Sequence, residues 1–217
     1  GNGLRCFAKY VIENSFFDPR SSELRIETLA GVRTAKPFIE KDEVVRVQVA
    51  LGKPLFDPRD IPVVVEGRAE RLDITQVMDY PIIIKGRELP VTCLSMGNPH
   101  AVYFSKEPVD DFPLHEIGPR MENHPAFPKR VNFEVAHVVG TREIKARVWE
   151  RGAGETLACG SGACAIGVAA WLHKFIGNQV EIALPGGILT VEWDGKGEVF
   201  LTGPAETVFQ GGWPEEE

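Results

Sequence analysis

Cys159 stands where a cysteine can act as an acid or a base. It opens the run Cys159-Gly160-Ser161-Gly162, directly ahead of a continuous apolar stretch that reads as a helix. The first N–H groups of a helix have no partner within it, and they carry the positive end of its dipole. A sulfur placed there is favoured as thiolate. Gly160 and Gly162 let a ligand approach the backbone closely, and the same N–H groups can hold a carboxylate. The run therefore offers a proton-transfer residue beside an anion cradle. Cysteines are commonly buried structural residues, and Cys6, Cys93 and Cys164 take that reading. The glycine-flanked helix start sets Cys159 apart. Cys164 falls on a different helix face from Cys159, so the two are not a metal clip.

Other polar residues could serve the same chemistry. Glu150 and Arg151 close a strand at the mouth of the glycine-rich loop 151–155. The arginine could clamp a carboxylate, and the glutamate could pair an ammonium or tune the thiol. A surface ion pair is the plainer alternative. Gly97-Asn98-Pro99-His100 is a turn signal. Asn132 interrupts an apolar alternation, as a strand-end cap would. Gly160, Gly162 and Ala165, with Glu181 about 20 residues further on, fit a dinucleotide-binding fingerprint loosely. That fingerprint needs a strand running straight into its first glycine, and residues 151–158 intervene.

The elements that position these residues follow from periodicity. Residues 1–16 open with a helix whose apolar face is Leu4, Phe7, Ala8, Val11 and Ile12. Strands are expected at 24–29, 44–49, 63–65, 82–84, 91–94, 101–104, 131–138, 144–149, 180–184, 188–193 and 199–202. A short helix is expected at 116–123. Residues 163–175 are apolar almost all round and should form a buried helix, stopped at Gly177-Asn178. Gly52, Pro54, Asp57, Pro58 and Pro62 mark a linker, and residues 215–217 an acidic, solvated end.

The chain also repeats itself. Gly1 to Ala8 aligns with Gly160 to Gly167, 24–31 with 180–187, and 47–56 with 201–209. Two halves of one ancestral unit are expected, each with strands around a buried helix that begins at Gly-x-Gly. The counterpart of Cys159 would directly precede Gly1. Cys6 aligns with Ala165 inside the helix and is not that counterpart.

The chain has 217 residues, with 43% hydrophobic and 25% charged, which suits one large or two small globular domains. Its net charge of −7, without a basic block, argues against nucleic acid or an anionic membrane as partner. Four scattered cysteines suggest a reducing, cytoplasmic setting. Small-molecule chemistry is the expectation that remains.

Gly1-Asn2-Gly3-Leu4-Arg5-Cys6, Met96-Gly97-Asn98-Pro99-His100, Asn132 and the long block from Glu150 to Cys164 together resemble the diaminopimelate epimerases. The resemblance covers the whole chain, and the motifs stand in the family's order. It implies an α+β fold of two pseudo-symmetric domains, each a mixed sheet or barrel wrapped around a central helix. Their expected extents are 1–56 with 203–217, and 57–202. It implies a cofactor-independent isomerase that interconverts LL- and meso-diaminopimelate with two cysteine acid/base groups, in lysine and cell-wall precursor synthesis. A cytoplasmic homodimer acting on a small molecule is implied as well. By motif, Cys159 is one of the two acid/base residues. Gly1, Asn2, Asn98, Asn132, Glu150, Arg151, Gly160 and Ser161 match substrate-contacting positions, and His100 and Glu150 match positions that modulate the thiol pKa. In the family a cysteine precedes the Gly-Asn-Gly motif. That second catalytic cysteine and the opening strands of the first domain are expected on a segment outside these 217 residues, so the chain alone should be inactive. A proline racemase-like or phenazine-biosynthesis-like isomerase, or a non-catalytic binding fragment, are the alternatives.

Overall fold

The structure, a computed structural model, describes residues 1–18, 22–65, 76–209 and 211–212; the acidic end at 215–217 lies outside them. Helix α1, Asn2–Glu13, buries Arg5, Ala8 and Ile12, with Leu4 and Val11 packed beside them. It ends where the Asn14 side chain donates to the Tyr10 carbonyl and Ser15 turns to φ 60°. Strands β1 (Leu24–Thr28), β2 (Gly31–Glu40) and β3 (Glu43–Ala50) follow as an antiparallel meander. Sequence periodicity missed β2, because Lys36 and Pro37 break its alternation and few of its side chains are fully buried.

A crossing segment leads to the second group of elements through a lone bridge between Leu55 and Ser95. The strand expected at 63–65 is not formed. Val64 donates a single ladder-like bond to the Ala126 carbonyl, and among the described residues the stretch has no strand partner. Then come β4 (Val77–Ile84), β5 (Arg87–Ser95), β6 (Pro99–Phe104), α2 (Leu114–Glu122), β7 (Asn132–Gly140), β8 (Glu143–Glu150) and the short β9 (Gly154–Thr156). Helix α3 (Gly160–Leu172) and strands β10 (Gln179–Leu184), β11 (Gly187–Glu192) and β12 (Phe200–Pro204) complete the described residues.

The sheet order is β1-β2-β3-β12-β11-β10-β8-β7-β6-β5-β4, with β9 added to β8. Neighbours are antiparallel except β6–β7 and β8–β10. A parallel pair needs a long crossover, and α2 and α3 supply those two. The result is a mixed α+β sheet. One apolar cluster joins α1, β1, β3, α3 and β10–β12, and a second lies beneath α2 with β4–β7.

The repeat is visible in this topology. Hairpins β1–β2 and β10–β11 close in the same register, at Thr28↔Gly31 and Leu184↔Gly187, with both glycines at positive φ. Strands β3 and β12 pair with each other, so β3-β2-β1 and β12-β11-β10 run outward from one seam. The two helices differ in their surroundings. From Gly160 to Ala170 every residue of α3 is buried except Ser161. In contrast α1, within these residues, leaves Phe7 49% and Tyr10 59% exposed. Cys6 lies on that open face and is exposed, which overturns its reading as core; Cys93 and Cys164 are buried. Helix α3 also starts and stops earlier than 163–175. Cys159 caps it at the front, and Lys174 at φ 61° ends it ahead of Gly177.

Candidate active site

Cys159 is the N-cap of α3, with its backbone extended at φ −127° and ψ 114°. Its Sγ accepts from the Gly162 N–H at 3.4 Å and lies 3.6 Å from Ser161 Oγ. The residue is 6% exposed. Burial is the main influence on its thiol, and the nearby Glu134 charge adds to it; together they push it up to about 12. The bonds from Ser161 and Gly162 oppose this, and the charge of Glu150 reinforces it. Burial and the two carboxylates therefore oppose the thiolate expected from a helix start alone and favour the thiol.

The two glycine-headed helix starts meet. A Cβ on Gly160 would lie 3.4 Å from the Gly1 Cα and 3.0 Å from Leu201 Cδ2. A Cβ on Gly1 would lie 3.4 Å from the Gly160 Cα and 3.1 Å from the same leucine. Both positions leave little room for a side chain, and Leu201 is the shared floor beneath them. The Asn2 Oδ1 accepts from Arg5, which is itself anchored on the Pro204 carbonyl.

Strands β6 and β7 bring the remaining polar groups to Cys159. Asn98, in the turn before β6, donates from Nδ2 to Ser161 Oγ at 3.3 Å. Its Oδ1 accepts from His100 Nε2 at 3.0 Å. The other ring nitrogen, Nδ1, lies 2.7 Å from Glu134 Oε1. His100 and Glu134 are both fully buried. Burial raises the Glu134 carboxyl above its usual range, and His100 pulls the other way. Asn132, paired in register with His100, uses both ends of its amide: Nδ2 donates to the Pro99 carbonyl at 2.8 Å, and Oδ1 accepts the Arg151 N–H at 2.9 Å. It braces β6 to the β8–β9 turn.

That turn carries Arg151. Its guanidinium donates to the Lys129 carbonyl at 3.0 Å, while the Glu150 carboxylate accepts from Thr156, so the two are not the surface ion pair that adjacency suggested. Glu122 of α2 secures the turn, accepting from Gly152 N–H, Arg130 and the Trp149 indole. Sequence reading passed over Glu122 and Glu134. The signal for Glu134 was present: it is an acidic residue in an otherwise apolar strand, where an unpaired charge would not be tolerated. Among the described residues, no group of histidine, cysteine and carboxylate side chains is arranged to hold a metal ion.

A family model for diaminopimelate epimerase matches residues 92–208. The chain is 44% identical to the diaminopimelate epimerase of Acetivibrio thermocellus over 97% of its own length and 72% of that protein. It is 45% identical to that of Agathobacter rectalis and 43% to that of Methanococcus maripaludis, covering 97% of this chain and 73% of each. Among solved structures, a hydroxyproline epimerase from Agrobacterium vitis superposes with a TM-score of 0.66 at 15% identity, over 94% of this chain and 63% of that one. A Bacillus anthracis phenazine biosynthesis protein of the PhzF family does so with a TM-score of 0.54 at 14% identity, over 91% and 70%. The chain thus spans less than two thirds of the hydroxyproline epimerase. At such identities these structures speak for the fold alone.

Proposed function

Because the chain belongs to the diaminopimelate epimerase family, we propose that it carries one half of a two-thiol proton transfer at the α-carbon of diaminopimelate, interconverting the LL and meso forms. One sulfur, as thiolate, takes the α-proton and leaves the electron pair on the substrate. The other sulfur, as thiol, delivers its proton to the opposite face. The C–H bond broken on one side is re-formed on the other, and the two sulfurs exchange protonation states. The negative charge that develops spreads into the α-carboxylate. Helix N–H groups of α1 and α3 would hold that carboxylate, so no carbonyl cofactor is required.

The observation that carries this reading is the meeting of the two helix starts at Gly1 and Gly160, with a capping cysteine directly before the second. By the pseudo-symmetry, the second sulfur belongs to a residue directly preceding Gly1, on polypeptide outside the 217 residues. Gly1, Asn2, Asn98, Gly160 and Ser161 would surround the reacting amino-acid end. Glu150 and Arg151, at the turn fixed by Asn132, would receive the substrate's charged groups. His100 and Glu150 would tune the Cys159 thiol. We place the domain division at 56/57 and 202/203, and the protein in the cytoplasm as a homodimer. No described helix is long and apolar enough to cross a membrane.

The test is deuterium incorporation at the α-carbon of LL-diaminopimelate in heavy water, using protein that includes the cysteine before Gly1. Exchange should accompany conversion to the meso form. The 217 residues alone should give neither. Rapid turnover by the 217 residues, or exchange with proline in place of diaminopimelate, would overturn the reading.

A further inference from the structure

The buried pair His100–Glu134 lies directly behind the start of α3. Glu134 Oε1 sits 3.0 Å from where a Cβ on Gly162 would be, and that same point is 3.3 Å from Cys159 Sγ. With no side chain at 162, the carboxylate and the sulfur face each other across this space. Glu134 Oε2 has no hydrogen-bond partner among the described residues, although the side chain is wholly buried. A buried carboxylate so under-satisfied is expensive to keep, and core packing alone would favour an apolar residue on this strand.

The bonds around the pair have a fixed direction. Asn98 Nδ2 donates to Ser161, so Asn98 Oδ1 is the acceptor facing His100 and His100 Nε2 must carry a proton. A second proton must lie between His100 Nδ1 and Glu134 Oε1, since two bare acceptors would repel at 2.7 Å. Ser161 Oγ accepts from Asn98 and keeps its own O–H for the Cys159 sulfur, 3.6 Å away. Donors therefore run in one sense from His100 through Asn98 and Ser161 to Cys159, and Glu134 anchors the chain.

We propose that Glu134 is a positioning residue for this reaction, one that fixes His100 and, through Asn98, aims the Ser161 hydroxyl at the Cys159 sulfur while its own charge faces that sulfur across Gly162. The two actions are complementary. The carboxylate, added to burial, favours the protonated sulfur, and the aligned hydroxyl and amide receive the thiolate when it forms. Other titratable groups bearing on this chain are Cys93 of β5, Glu150 of β8 and Cys164 of α3, with Arg5 on the side of α1.

The inference rests on Cys159 as a proton-transfer residue, and its test needs no substrate. The pH profile of Cys159 carboxamidomethylation by iodoacetamide is read by peptide mass mapping in the folded protein. Glu134→Gln keeps a bond to His100 Nδ1 through its amide and removes the charge. Its profile should move to lower pH, with Cys159 alkylated about tenfold faster at neutral pH. Ser161→Ala should move the profile the other way. In the exchange-competent protein, Glu134→Gln should lower kcat with KM little changed. If Glu134→Gln does not fold, Asn98→Ala breaks the same chain at its middle and should slow alkylation several-fold. A Glu134→Gln profile that superimposes on the parent, or an Asn98→Ala rate within twofold of it, overturns the proposal. Loss of α-proton exchange in the parent protein would instead count against the proposed two-thiol function.

Discussion

Cys159 gathers opposing influences within a few ångströms. The helix start and the Ser161 hydroxyl favour thiolate, whereas burial and two carboxylates favour thiol, and the second set prevails. The composition of the run around Cys159 disclosed the first set. The second was hidden because Glu134 lies 25 residues away in sequence (159 − 134) and reaches the sulfur only once β7 is packed under α3. An unfolded thiol ionises near pH 9, and the folded one only near about 12. Between these values the unfolded state holds fewer protons, so this residue's contribution to stability is complete below about pH 9 and is lost as pH rises towards 12. Cys164 is raised in the same sense. Urea midpoints should hence stay level up to about pH 9 and then fall, and the fall should be shallower in Cys159→Ala. Replacing Cys159 by serine should lower α-proton exchange by at least about a hundredfold, with unfolding temperature nearly unchanged because the two side chains are close in volume.

Among the elements, α2 has the least obvious part. It contributes no residue that touches Cys159, yet it sets the β8–β9 turn that presents Arg151. Gly118 lies flat beneath Trp149, where a Cβ would come within 2.5 Å of the ring. Glu122, one turn on, holds the Trp149 indole and the Gly152 amide. Gly118→Ala should force the helix away from β8 at a cost of about 1–3 kcal/mol, read as a lower unfolding midpoint in urea. Glu122→Ala leaves the indole and an amide without their acceptor, for about 1–3 kcal/mol. It should also raise KM more than it lowers kcat, since Arg151 loses its support. Most strands were legible from alternation, and α3 from its unbroken apolar run. The failures have physical causes. Strand β2 is half-exposed and contains a proline, the stretch 63–65 is β-branched but finds no strand partner among the described residues, and the partnership of α2 with Trp149 depends on a glycine that carries no pattern of its own.

At the scale of the molecule, the repeat is what makes the site. Duplicating a helix and three strands about the β3–β12 seam brings two helix starts together over Leu201. Recognising Gly1 and Gly160 as equivalents was possible from sequence. Their contact was not, because it follows from how the two halves pack. Gly160→Ala would press a methyl group against Leu201 and bring it into contact with the Gly1 backbone. It should separate the helix starts, weaken the fold by about 1–3 kcal/mol, and reduce α-proton exchange at least tenfold even in protein that remains folded.

The most direct test of the central claim is where an electrophilic diaminopimelate analogue, reactive at its α-carbon, attaches to the protein. Cys6 is exposed among the described residues and serves as a comparison thiol, whereas Cys159 is 6% exposed. Mass mapping should find the adduct on the Cys159 sulfur, with diaminopimelate protecting it and proline failing to. An adduct confined to Cys6, or one at Cys159 that diaminopimelate does not suppress, would contradict the assignment.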